Sequence, residues 1–200
     1  MNARIGEAAT NEVRSRRRGA LLGLMCAAAL AGCTKPRIWQ EEVALSTGQT
    51  IVVTRKTEFE SGGGEWASNR NLIKPSVNHL YVPYPAGSGK VAAWRSAPEA
   101  HGNFPEDPLL LDMEGGKPVI IAAGTYGTGC PSYRRYLYTG SGWQQTAMPT
   151  EAIGRASNLL FKNTEGYVTL DMKRKMNKGP YDSWRKKIEP GLKPCSVLRF

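Results

Sequence analysis

His79 and His101 are the only imidazoles in the 200-residue chain, and Cys26, Cys33, Cys130 and Cys195 are its only thiols. A hydrolase built on a serine or cysteine nucleophile needs a base within hydrogen-bond reach. His79 falls in a strand-like run and His101 in a proline-rich stretch, so either could serve only through a tertiary contact. The ordinary expectation for each is a solvated or internally bonded ring. Among the carboxylates, Glu106 and Asp107 are adjacent and expected to be exposed, while Asp112 and Glu114 share one strand face at the mouth of a turn. Glycoside hydrolysis takes two carboxylates facing each other across a cleft, and this spacing specifies no such pair.

Two glycine-rich stretches have the composition of phosphate loops without their pattern. Gly87-Ser88-Gly89-Lys90 has the end of a P-loop, but Tyr84 stands where the first Gly belongs and Val91 where the Mg²⁺-binding hydroxyl belongs. Without that Gly the backbone N–H cradle is not specified, and without the hydroxyl the metal loses a ligand. Gly124, Gly127 and Gly129 have the wrong order for a dinucleotide loop and no helix signal after them. No cofactor is expected from these patterns. There is likewise no CxxC and no neighbouring Cys/His set, so no structural metal is expected.

The thiol with the most informative surroundings is Cys33. Arg14, Arg16, Arg17 and Arg18 precede an apolar run from Gly19 to Leu30, and Leu30-Ala31-Gly32-Cys33 ends it. The run is shorter than the roughly 20 residues that cross a hydrocarbon core, and its order of basic, apolar and small residues is that of an export signal. The segment resembles a bacterial lipoprotein signal peptide with its lipobox, a resemblance confined to residues 1–34. It implies removal of residues 1–32, a lipid on Cys33 as the first mature residue, and a membrane anchor formed by those acyl chains. Thr34, rather than Asp, follows the cysteine, which in such lipoproteins favours the outer membrane with the body in the periplasm. Ser15-Arg16-Arg17-Arg18 also resembles a twin-arginine signal, although Gly19 and Ala20 stand where that motif takes bulky apolar residues.

Once the leader is set aside, the cysteines separate. Cys26 leaves with the signal and Cys33 carries lipid, so Cys130 and Cys195 remain as an even pair in an oxidising compartment. Disulfides persist there, and each of the two residues adjoins a proline in a turn-rich stretch. A Cys130–Cys195 disulfide is therefore expected. The full chain carries 27 Lys+Arg against 17 Asp+Glu, and the leader takes five Arg and two Glu, leaving 22 against 15. A body near +7 biases partners toward anionic surfaces through its long-range field. In the periplasm these are lipid head groups, lipopolysaccharide or acidic proteins, and nucleic acid is not an expected partner.

The elements that must position these groups read as a chain of hairpins. Residues 33–37 form the lipidated cysteine and a short tether, and residues 38–200 one β-rich domain of a size that buries roughly two-thirds of its unfolded surface. Ile38 to Leu45 alternates with Trp39, Val43 and Leu45 on one side; Thr47-Gly48 turns it into Gln49 to Thr57. Val77 to Tyr84 and Lys90 to Ser96 flank Gly87-Ser88-Gly89, and Arg134 to Thr139 and Trp143 to Ala147 flank Gly140-Ser141-Gly142. Alternation around a short Gly-containing connection is the hairpin signal. Leu109 to Met113 and Val119 to Ala123, around Gly115-Gly116, are apolar on both faces, which predicts the middle of a sheet. Pro149 to Ala156 is expected to make one helical turn capped by Thr150, and Leu159 to Phe161 and Tyr167 to Met172 to be strands.

From there the chain turns basic, with Lys173, Arg174, Lys175, Lys178, Arg185, Lys186 and Lys187 interleaved with Tyr181 and Trp184. This segment is a candidate contact for anionic head groups, near which each basic residue is worth about 1 kcal/mol. The fold expectation is all-β or β-dominated: successive antiparallel hairpins forming a sandwich, barrel or partial propeller with little helix. The functional expectation is an outer-membrane-anchored periplasmic lipoprotein acting as a non-enzymatic binding module for a periplasmic protein or anionic lipid. The competing reading is an envelope hydrolase acting on peptidoglycan or lipid.

Overall fold

A computed structural model describes residues 35–61, 73–96, 104–125, 131–160, 164–176 and 188, apart from the side chains of Ser61, Thr125 and Pro131. The chain divides into two units, Met1–Cys33 and Thr34–Phe200, and every described residue belongs to the second. In chain order its strands are β1 (Arg37–Ala44), β2 (Thr50–Ser61), β3 (Ile73–Pro83), β4 (Val91–Arg95), β5 (Asp107–Glu114), β6 (Lys117–Thr125), β7 (Pro131–Tyr138), β8 (Trp143–Thr146) and β9 (Gly166–Val168). A 3₁₀ turn at Thr150–Ala152 and a short helix α1 (Leu170–Met176) complete it.

The strands form two sheets, β4-β3-β2-β1-β9 and β5-β6-β7-β8, neither closed into a barrel. Neighbours pair antiparallel, except that β9 lies parallel to β1. The architecture is therefore a β-dominated sandwich. Each predicted hairpin is present, and the turns carry the residues they require: Gly115 and Gly116 both have positive φ, at 54° and 75°, as a two-residue connection between right-twisted strands demands.

Strand alternation places one apolar set from each sheet in a shared core. Val43, Val53, Leu80, Val82, Ala92 and Trp94 from the first sheet meet Leu111, Ile120, Ala122 and Tyr136 from the second. The second sheet is covered on its other face over β5 and β6, where Ala152 of the 3₁₀ turn and Ile188 pack on Leu110 and Ile121. Ile188 is fixed there by backbone bonds, with its N–H donating to Arg155 and its carbonyl accepting from Gly154.

Several expectations need correction. The doubly apolar hairpin does not put both its strands inside a sheet: β5 is an edge strand. Its two buried faces reflect a layer packed on the far side, and its edge is covered by the chain at Ser157–Leu160. Asn158 Oδ1 accepts from Leu111 N at 2.9 Å, its Nδ2 donates to Leu111 O at 2.7 Å and to Ala44 O at 2.9 Å, and Leu159 N donates to Leu109 O. Those bonds use the backbone groups that an open edge would offer to another chain. The expected strand at Leu159–Phe161 is this covering segment where it is described, Phe161 lying outside the described residues. The expected strand at Tyr167–Met172 ends at Val168, and α1 follows; Leu170 N donates to Glu42 Oε2 at 2.8 Å, which satisfies one of the free N–H groups of the first turn. Thr150 is not the cap of its turn, whose preceding residue is Pro149 with no side-chain bond.

Candidate functional site

Three carboxylates with recognisable sequence positions prove to be buried structural anchors. Glu41 is in phase with Trp39 and Val43 along β1, so alternation drives it into the interior together with them. Arg55, in phase with Val53 on β2, is buried beside it. Glu41 Oε1 meets Arg55 Nη1 at 3.1 Å, and Oε2 meets Lys173 Nζ of α1 at 2.5 Å and Leu160 N at 3.0 Å. Arg55 also donates to Leu160 O at 3.0 Å and lies over the Trp39 ring, 4.9 Å from its centroid. Lys173 donates to Asn158 O at 2.8 Å. Burial, only partly offset by Glu41, holds the Lys173 ammonium below its ordinary value. The cluster joins β1, β2, the covering segment and α1 at one point.

Glu106, expected to be exposed, is fully buried. Its carboxylate accepts from Arg134 Nη1 at 3.0 Å and Tyr136 OH at 2.7 Å. Burial first, then the Glu106 carboxylate, pushes the Tyr136 phenol well above its ordinary value. Beside it Asn78 binds Thr57 Oγ1, Ser96 Oγ, Glu106 O and Asp107 Oδ1. Asp112 is the third anchor. Burial raises its proton affinity, but bonds from Arg155 Nη2 at 2.6 Å, from Ser46 Oγ and N at 2.8 and 3.1 Å, and from Met113 N outweigh it, and the carboxyl sits below its ordinary value. Glu114, sharing its strand face, is exposed and pairs with Arg135 instead. Asp112 and Glu114 therefore do not act as a pair, and each is neutralised by its own arginine.

Such interior charges organise packing and offer no surface to a ligand. The exposed chemistry lies on the outer face of the first sheet. Its inward residues are buried, yet every described outward residue from Ile38 to Tyr167 is exposed or half-buried. Registers bring Gln40, Thr54, Tyr81 and Ala93 into one row across β1 to β4, and Ile38, Lys56, His79 and Arg95 into the next. Lys56 Nζ meets Glu58 Oε1 at 2.6 Å and His79 Nε2 meets the same oxygen at 3.2 Å. The Lys56 bond lowers the Glu58 carboxyl, while burial, against the pull of Glu58, lowers the His79 imidazole below its ordinary 6.5. The ring lies flat along Tyr81 with centroids 6.0 Å apart. Val52 and Val91 are exposed on the same face, and Tyr167 donates to Glu42 at its β9 margin.

The contacts of His79 are thus a carboxylate and an aromatic ring, with no hydroxyl or thiol among the described residues. Gly87-Ser88-Gly89-Lys90 is a tight exposed turn between β3 and β4, in which Ser88 bonds back to Pro85 O. Of the basic segment, Lys173 does not join a surface patch, because α1 turns it into the Glu41 cluster; Arg174, paired with Asp171, and Lys175 are exposed. Lys178, Arg185, Lys186, Lys187, Cys33, Cys130, Cys195 and His101 lie outside the described residues. Among the described residues no group of three or more His, Cys, Asp or Glu converges as metal ligands do, and no helix is long and apolar enough to cross a membrane. No family model matches this chain, and no match was found among curated proteins or solved structures.

Proposed function

We propose that the protein is a lipid-anchored periplasmic lipoprotein of the outer membrane, and that its body is a binding module which engages an envelope protein through the outer face of the β4-β3-β2-β1-β9 sheet. The observation that carries the binding role is the contrast between the two outer sheet faces. Ala152 and Ile188 cover one over β5 and β6, whereas the other exposes Val52 and Val91 around the Tyr81–His79 stack. Aromatic side chains held in one orientation lose little rotamer freedom on binding and are frequent anchors of protein interfaces. Of the charges beside them, Lys56 and Glu58 are already paired with each other, and Arg95 stands next to His79 at the β4 margin. The envelope address rests on Arg14 to Cys33 alone. Arg174, Lys175, Lys178, Arg185, Lys186 and Lys187 add positive charge for anionic partners.

The test is affinity capture from envelopes with the protein in its lipidated form. Wild type is expected to retain a partner in stoichiometric amount, and Tyr81→Glu, which places a carboxylate in the exposed row between Thr54 and Ala93, to lose it with unchanged thermal stability. Equal recovery by both proteins would remove the sheet face from the account. Palmitate incorporation by wild type and none by Cys33→Ser tests the anchor.

A further inference from the structure

Resting on the lipid anchor at Cys33, the lengths of the first three strands fix which end of the sandwich meets the membrane. Only three residues separate Cys33 from Arg37, the first residue of β1, and the four residue steps between them span at most about 14 Å. Arg37 pairs with Thr57, but β2 and β3 continue together past that point to the pair Ser61–Ile73. Four further residues of strand reach about 13 Å. The β2–β3 hairpin therefore overhangs the start of β1 by the same length that the tether can cover.

That end carries the side chains an interface needs. Ile73 is 56 % and Phe104, just before β5, 50 % exposed. Basic groups lie toward the same end: Lys35 and Arg37 are exposed, the Arg37 guanidinium lies 5.7 Å from the centre of the Phe59 ring, and Lys74 pairs with Glu60 at 3.1 Å. Exposed apolar groups flanked by Lys and Arg are the composition that settles at the boundary between head groups and acyl chains. We infer that Ile73 and Phe104 form a second, non-covalent contact with the phospholipid leaflet that holds the Cys33 lipid. The sandwich then stands on its hairpin end, and the outer face of the first sheet looks sideways into the periplasm, clear of the bilayer.

Tryptophan quenching by brominated lipid tests this on the full lipoprotein, reconstituted into vesicles of phosphatidylethanolamine and brominated phosphatidylglycerol. Ile73→Trp and Phe104→Trp are compared with the parent, which supplies the background of five native tryptophans. Val91→Trp is the control; it sits on an exposed site level with Glu42, five residues along from Arg37, or about 17 Å further from the bilayer. The expected result is an added quenching about twofold or more above that of the control, as a ring roughly 5–10 Å into the boundary gives. Equal increments at all three sites, in a protein whose Cys33 peptide carries lipid by mass spectrometry, would overturn the membrane contact and leave the anchor standing. An unmodified Cys33 peptide would overturn both.

Discussion

Glu41 is the residue on which the interior charge balance turns, and Glu41→Gln is the perturbation that exposes it. The carboxylate is fully buried between Arg55 and Lys173, which are themselves 2 % and 1 % exposed. Glutamine keeps the shape and one acceptor but removes the carboxylate that lies between two buried cations. Breaking a buried ion pair from one side costs about 3–5 kcal/mol, a large part of the about 5–15 kcal/mol that holds a domain together. Lys173→Met behaves differently, since it removes the ammonium whose burial opposes its charge and keeps an apolar stem of similar length. Glu41 and Arg55 then balance one to one, and stability is expected within about 1.5 kcal/mol of wild type. The double variant should regain about 1–2 kcal/mol of the Glu41→Gln loss, because the repelling pair is gone. Urea unfolding followed by tryptophan fluorescence measures all three. A Glu41→Gln protein within about 1 kcal/mol of wild type, or a double variant no more stable than the single, would refute the reasoning.

Asp112, held below its ordinary 3.8 in the folded state, contributes stability that is present above that pH and lost as pH falls through the lower folded value. Asp112→Asn should therefore melt lower than wild type at neutral pH, with the gap closing below 3.8 in a thermal unfolding series. Asn158→Ala leaves the Leu111 N–H and carbonyl on the β5 edge without the side chain that binds them. A cost of about 1–3 kcal/mol is expected, with concentration-dependent self-association in sedimentation velocity as the exposed edge finds another chain. For the predicted Cys130–Cys195 bond, which closes a loop of 65 residues, alkylation without reductant should label neither thiol. Reduction should cost about 4 kcal/mol on the loop-entropy account.

Much of the fold is legible in local patterns, because a hairpin needs only alternation and a turn residue. Gly48, Gly87, Gly115 and Gly140 each mark a real reversal with positive φ. What is not local is not legible. The Leu109–Leu111 run shows that both faces of β5 are buried, but not that the second layer is Ala152 and Ile188, supplied from far along the chain. Glu106 looks solvated beside Asp107 because its partners, Arg134 and Tyr136, lie on a different strand. Glu41 is the case where a signal was available: its parity with Trp39 and Val43 puts it inside, and Arg55 has the same parity with Ile51 and Val53. A charge of each sign in the buried phase of two adjacent strands marks a pair. Lys173 has no such signature, since its burial depends on α1 forming where a strand was expected. The open face is half-legible: alternation identifies Tyr81 and His79 as its members, while nothing in the sequence shows that this face, and not that of the second sheet, stays uncovered.

A photo-reactive side chain placed at Tyr81 in intact cells tests the account most directly, with Gln144 on the edge strand β8 of the second sheet as its counterpart. The account predicts one dominant crosslinked envelope protein from position 81 and a much weaker yield from position 144. Equal yields from the two positions, or a dominant adduct from 144 alone, would contradict it.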